Sequence, residues 1–396
     1  MKERGFGMNR IETILTIALL TAVPAFCQAA TGELKVKAVN KLEIARSSQT
    51  IELSADQLAP LGEKDLRKIH VKDASGKELL CQAVDTDGDY HPDEVIFQAD
   101  FAAGATNSFT VTVGKKWDYT KDQFKAYGRF VRERFDDFAW ENDRIAHRTY
   151  GNALETWKEE PLTSSAIDVW VKRVPSLVIN GWYMLENYHL DHGEGADFYS
   201  AGATRGNGGD GLWAADKLWV SKNFVDSRVL ACGPIRVMFE LTYEPFDVNG
   251  TKVSEVRRIS LDAGQNLDHY QVTYKPERPT ALTVGIGIKK KDVTQTDAKI
   301  SRGSFSTWEQ LRDDKLEESH LGQVIVLDPK LLVKTTDDKL NYLVLGQASK
   351  NNTISYWAGF GWDKGGQFAD YDAWKGYADE FARGALSPIE VSVSAD

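Results

Sequence analysis

His189 and His192 stand three residues apart in the segment NYHLDHGEGADFYSAGATRGNGGDG, Asn187–Gly211, which also carries Glu194, Asp197, Tyr199 and Arg205. An imidazole is the side chain best suited to take a proton near neutral pH, and a tyrosine can return one. With an arginine to neutralise a carboxylate, these types suit β-elimination from a uronate, where a proton leaves the carbon beside the carboxylate. The same H-x-x-H pair suits zinc if Glu194 or Asp197 supplies a third ligand. Hydrogen bonding within the loop accounts for both histidines without any chemistry. Hydrolysis requires two carboxylates across the scissile bond, for which Glu141, Asp143, Glu194, Asp197 and Asp210 are candidates.

A second stretch, WENDRIAHRTYG from Trp140 to Gly151, places Trp140, Asn142, Arg144, Arg148 and Tyr150 on one face if it is a single strand. The other face then carries Glu141, Asp143, Ile145, His147 and Thr149. Both faces are too polar for two packed layers, so one is expected to line a wet groove. An aromatic, an amide and a guanidinium in a row suit a sugar acid, because arginine grips a carboxylate at two points. The competing account is an internal salt-bridge network among Glu141, Asp143, Arg144 and Arg148. Under the elimination reading His189 or His192 is the base and Tyr199 or Tyr150 the acid. Trp140, Asn142, Arg144, Arg205 and Asp197 bind substrate. Under the hydrolytic reading Glu141 or Glu194 acts with an aspartate, and a third possibility is a groove that binds without cleaving.

The run DTDGDYHPDE sets Asp85, Asp87, Asp89, Asp93 and Glu94 at the alternate spacing that calcium favours, though not in the EF-hand pattern. A tight hairpin with solvated carboxylates explains the same residues and is preferred. No cofactor is expected, and calcium is the one metal candidate. Trp357, Trp362 and Trp374 suit either sugar stacking or a core beneath a C-terminal helix. No phosphate-binding loop, dinucleotide fingerprint, G-x-S-x-G or H-E-x-x-H occurs in the sequence.

The elements that must position these residues are mostly strands. Val237, Phe239, Leu241 and Tyr243 alternate with polar neighbours, and Leu282, Val284, Ile286 and Ile288 do the same. Seven glycines in Asn187–Gly211 mark it as a shaped loop. Trp374, Tyr377, Ala378 and Phe381 share one helical face, with Gly384 placed to end that helix. Ser306 and Glu309 form a candidate capping box before Leu311. The expected class is all-β: a small N-terminal β-sandwich over 31–115, a linker over 116–126, and a large antiparallel supersandwich over 127–396 that carries the site and has few helices.

A net charge of −10 argues against nucleic acid as a partner. Lys2, Arg4 and Arg10 precede the apolar run Ile11–Ala25, which leads to small residues at Ala29 and Ala30, the pattern of a secretory signal over 1–30. That run is too short for a membrane span, and Phe26 before Cys27 fits a lipid-anchor site poorly, so a periplasmic or secreted protein is expected. Cys81 and Cys232 remain after the leader, to pair or to stay buried as separate thiols.

Taken together, DTDGDYHPDEVIFQADF, RERFDDFAWENDRIAHRTYGNALE, YHLDHGEGADFYSAGATRGNGGDGLW and YWAGFGWDK resemble an exported bacterial family of uncharacterised function. Its members are commonly encoded beside pectin and other polyuronate lyases. The resemblance spans nearly all of the mature chain and implies a partner that is a uronate-containing, pectin-derived oligosaccharide. The large domain is similar to the galactose-mutarotase-like supersandwich, and that similarity implies a fold and no catalytic residue.

Overall fold

In–out alternation builds the long strands: along Thr251–Asp262 every second residue from Val253 to Leu261 is buried, the ion pair of Glu255 and Arg257 among them. The computed structural model describes residues 32–185, 187–291, 294–299, 302–311 and 318–395. The expected leader lies outside them. No helix among the described residues is long and apolar enough to cross a membrane.

The described chain begins as a small sandwich of β1 (Glu33–Val39), β2 (Arg46–Ser54), β3 (Ile69–Asp73), β4 (Glu78–Leu79), β5 (Cys81–Val84), β6 (Glu94–Phe101) and β7 (Thr106–Val113). One sheet runs β1-β7-β3-β4 and the other β2-β6-β5, closed on Leu34, Val36, Ile51, Phe97 and Phe109. The one-turn helix α1 (Ala55–Leu58) carries a capping box from Ser54 and Gln57.

Next, β8 (Ala126–Val131), β9 (Asp137–Asn142), β10 (Ala146–Thr149), β11 (Asp168–Lys172) and β12 (Gly195–Ala196) form a sheet in the order β12-β11-β10-β9-β8. Helix α2 (Ile179–Leu185) covers its outer face, packing Trp182 and Tyr183 near Trp170.

The large antiparallel sandwich uses β13 (Asn207–Ala214), β14 (Lys217–Trp219), β15 (Phe224–Cys232), β16 (Arg236–Val248), β17 (Thr251–Asp262), β18 (Leu267–Pro276) and β19 (Thr283–Lys289). It continues with β20 (Thr294–Asp297), β21 (Ser304–Leu311), β22 (Ser319–Val326), β23 (Leu332–Asp337), β24 (Asn341–Gln347) and β25 (Thr353–Trp362). The eight-stranded sheet β15-β16-β17-β18-β25-β22-β21-β20 forms one layer. The sheets β14-β13-β19-β24-β23 and β12-β11-β10-β9-β8 share the other, joined by a bridge between Ile167 and Gly206. One continuous core fills the space between, where Phe138 stacks on Phe239 at 4.2 Å and Ile286 and Val344 join the same cluster. The all-β sandwich expectation holds.

Helix α3 (Tyr371–Leu386) packs Trp374 and Ala378 on the outer face of the eight-stranded sheet beside Val324 and Val326. It runs past Gly384 because Arg46 donates to the carbonyls of Gly384 at 3.0 Å and Ser387 at 2.9 Å, satisfying the free end. β26 (Glu390–Ala395) then pairs antiparallel with β1, Leu34 opposite Ala395. The last strand, expected with the large domain, therefore completes the small sandwich.

Two local expectations are corrected. Trp140–Gly151 is a hairpin of β9 and β10 rather than one strand, because the Asn142 side chain accepts from the amides of Arg144 (2.8 Å) and Ile145 (2.9 Å) and turns the chain. Ser306 and Glu309 lie inside β21, where pairing along the whole of β22 outweighs a local capping preference. Cys81 and Cys232 are both free, and burial pushes the Cys81 thiol up to about 12.

Candidate functional site

Two glycine bends, at Gly195 and Gly206, pin the loop Asn187–Gly211 against its sheet. Gly195 at φ +108° and Gly206 at φ +62° place their Cα atoms where a Cβ would meet the carbonyl oxygens of Val171 (2.0 Å) and Ile167 (1.8 Å). Asp191 Oδ1 accepts from the amides of Gly193 and Gly195 at 2.8 and 3.0 Å, fixing the intervening turn. The loop thereby runs from an exposed outer end to a buried inner end along the sheet that carries β10 and β11.

At its centre sits Arg148, projecting from β10 to the outer face. Its guanidinium donates to Asp168 Oδ2 (2.9 and 3.0 Å) and Asp197 Oδ2 (2.9 Å), and lies 3.6 Å from Asp137. Tyr150 donates to the same Asp168 oxygen at 3.0 Å. One guanidinium cannot balance three buried, ionised carboxylates. Burial accordingly pushes Asp137 up to about 7 and, with the charge of Asp168, holds Asp197 well above the usual carboxylate range. Burial, with Asp168, likewise holds the Tyr150 hydroxyl protonated.

His189 closes the outer end. Its Nδ1 lies 3.0 Å from the carbonyl oxygen of Asp197 and 3.6 Å from the Asp197 carboxylate, and the ring is 57% exposed. A carbonyl only accepts, so Nδ1 carries the proton and Nε2 the lone pair. The exposed ring is thereby oriented, with its Nδ1 edge turned to the Asp197 main chain.

Two neighbours were not read from the sequence. Tyr188 Oη accepts from Arg134 Nε at 2.9 Å and from Arg148 Nη1 at 3.2 Å, leaving its own O–H to give. Arg134 pairs with the exposed Glu160 at 2.7 Å and lies 4.7 Å over the Trp157 ring, while Phe135 stacks on Trp157 at 4.3 Å. Phe135 and Asp136 have left-handed φ values of +43° and +62°, a strained turn beside the site. The RERFDDF segment held these residues in view, but no spacing rule ties them to a histidine more than fifty positions away.

The other expected site residues disperse. Trp140 is buried and donates to Asp268 Oδ1 at 2.8 Å, and Asn142 is buried and binds the carbonyls of Asp262 and Gln265. Neither lines a groove, because the hairpin turns them inward. Arg144, in the turn itself, reaches a different cleft, where it donates to Asn266 at 3.0 Å. Arg205 is buried, donating to Ser165 Oγ and the Asp210 carbonyl, and burial, with Arg257 beside it, brings it down to about 10. Asp210 pairs with Arg257 at 2.7 Å in the core and accepts from Tyr274. Tyr199 is buried with its hydroxyl on Gln323 at 3.3 Å, so neither Tyr199 nor Tyr150 presents a proton at the surface. Glu141 is sealed by Lys172 at 2.7 Å and by the amides of Val178 and Ile179 at the start of α2. Glu194 is exposed and accepts from Trp182 Nε1, and His192 is exposed.

Among the described residues the histidines join no group of three metal-ligating side chains; that arrangement occurs for Asp85, Asp87 and Asp89 in the β5–β6 hairpin. Asp93 is turned away, accepting from the amide and hydroxyl of Thr86 at 2.6 and 2.7 Å.

A family model described as "Domain of unknown function (DUF4861)" matches residues 39–391. The chain belongs to this family. Within reach of it stands "Uncharacterized protein P7" of Formosa agariphila, 30% identical over 404 residues that cover 98% of this chain and all of that one. Among solved structures, the DUF4861 chain is similar to a protein in glycosyl hydrolase family 38 from Enterococcus faecalis, with a TM-score of 0.50 and 10% identity over 93% of this chain. An α-mannosidase from Enterococcus faecalis V583 has a TM-score of 0.49 at 10% identity. The chain spans about half the length of these two structures, covering 49% and 47% of them. At such identity the likeness concerns the fold.

Proposed function

We propose that this DUF4861 protein is an exported, carbohydrate-active protein that takes uronate-containing, pectin-derived oligosaccharides at the Arg134–Tyr188–His189 edge and cleaves them by β-elimination. The observation that carries the reading is the His189–Asp197 contact, which fixes the tautomer and leaves Nε2 as the base. Arg134 holds the substrate carboxylate, exchanging it for the solvated Glu160, and Trp157 with Phe135 offers a face for the sugar ring.

In the step itself, Nε2 removes the proton from the carbon beside the carboxylate. The C–H electron pair becomes the new carbon–carbon double bond, and the glycosidic C–O bond at the β-position breaks. A solvent water gives a proton to the departing oxygen, and the buried Tyr188 hydroxyl, which accepts from Arg134 and Arg148, keeps Arg134 in place. The likeness to a glycosyl hydrolase family 38 protein supports carbohydrate chemistry only by analogy of fold. A binding-only role uses the same residues and differs in leaving the oligosaccharide intact.

The test is the product. Residues 31–396 incubated with oligogalacturonate are expected to form an unsaturated uronate absorbing in the near ultraviolet, and His189→Ala to slow its formation by about 10²–10⁴. New reducing ends without that absorbance would refute elimination.

A further inference from the structure

Where the small sandwich, the outer face of the eight-stranded sheet and the end of α3 meet, there is a cleft of about 740 Å³. That lies within the ~300–1,000 Å³ range of small-molecule sites. Most of its charged groups are already satisfied. Arg236 is held by Asp262 (2.6 Å), Glu52 (2.8 Å) and Glu94 (3.3 Å), and Arg258 by Glu240 (2.6 Å). Two arginines differ. Arg46 donates to main-chain carbonyls and Arg144 to the Asn266 amide, and among the described residues neither has a carboxylate partner. Both line the cleft, with the half-buried Trp357 in its wall and the side-chain amides of Gln49 and Gln265 nearby. Glu380, also on the lining, is exposed on α3.

We propose that this cleft is a second carbohydrate site, separate from His189, that holds an acidic oligosaccharide by its carboxylates. Two guanidiniums whose charge no carboxylate meets among the described residues, an indole and amide groups are the set that recognises a uronate: positive charge and N–H donors for the carboxylate, foremost from Arg144, an apolar face for the ring, and donors and acceptors for hydroxyls. The site lies where the two sandwiches touch, so an occupant would bridge them. The choice of ligand rests on the uronate reading above; the cleft and its arginines do not.

The experiment is calorimetry with tetragalacturonate on the His189→Ala protein, in which turnover does not obscure binding. That variant is expected to bind tetragalacturonate, cellotetraose is expected not to compete, and adding Arg144→Ala is expected to weaken binding at least tenfold. Arg144→Lys, with a point charge in place of the fork, is expected to restore it only in part. Thermal melts of each variant check that the half-buried Arg144 is not needed for folding. An isotherm unaltered by Arg144→Ala, or no binding of tetragalacturonate at all, would overturn the second site. Arg144-dependent binding without any unsaturated product from the wild-type chain would instead count against elimination at His189 alone.

Discussion

The imidazole of His189 and the main chain of Asp197 are bound to each other, Nδ1 to carbonyl oxygen, at 3.0 Å. The carboxylate of the same aspartate turns inward to Arg148 at 2.9 Å. One residue therefore orients an exposed imidazole and anchors the loop to a buried guanidinium. His189→Ala is expected to lower kcat by about 10²–10⁴, the span of general base catalysis. Because the ring is largely solvated, the melting temperature should stay within about 1 °C. Rate measurement and a thermal melt on one preparation check both halves, and a large fall in stability would mean that the ring serves the fold.

Arg148 answers to the opposite rule. Removing it leaves Asp137, Asp168 and Asp197 buried without their cation, and Arg148→Met is expected to cost about 3–5 kcal/mol. Asp197→Asn should be far milder, because burial already favours the neutral form of that carboxyl. Denaturant unfolding of the pair distinguishes them, and equal losses would contradict the charge count.

Burial, added to by the charge of Glu52, raises Glu94 from the ordinary carboxylate value to about 7. A folded-state pKa above the unfolded one means that the stabilising contribution is complete below about 4.5 and is lost as pH climbs through 7. Glu94→Gln removes that loss. Its advantage over the parent in melting temperature should be about 2 °C larger at pH 8 than at pH 5. A constant gap across those pH values would refute the assignment.

Gly195 holds β12 against β11 at a φ of +108°, with no room for a Cβ beside the Val171 carbonyl. Gly195→Ala is expected to cost about 1–3 kcal/mol and to displace the loop that carries His189, lowering kcat together with stability. Hydrogen exchange at the amides of Lys172 and Ala196 would show the lost pairing, and unchanged protection there would contradict it.

The strands were readable because one face of each meets the core: Val237, Phe239, Leu241 and Tyr243 alternate in sequence and are buried as expected in β16. The glycine-rich loop was readable for a similar local reason, since left-handed bends need glycine. The groove over Trp140–Gly151 was misread because alternation was extended through Asn142 and Asp143, a turn pair whose side-chain hydrogen bonds reverse the chain. That reversal separates Arg144, which reaches the interdomain cleft, from Arg148, which centres the aspartates. Buried charge also misled: Arg205 and Asp210 look chemical in sequence, but inside the sandwich Asp210 pairs with Arg257 and Arg205 donates to the Asp210 carbonyl. Tyr188 and Arg134 were invisible as partners because only the closed sheet and the loop laid across it bring them together. The end of the chain returned to β1 for the same reason, as strand pairing between termini leaves no local mark.

The most direct test of the account follows residues 31–396 with oligogalacturonate by near-ultraviolet absorbance and by mass in the same reaction. Elimination at His189 predicts an absorbing product whose fragments sum to the substrate mass, formed about 10²–10⁴ more slowly by His189→Ala. Fragments heavier by one water with no absorbance, or the absorbing product formed at an undiminished rate by His189→Ala, would contradict it.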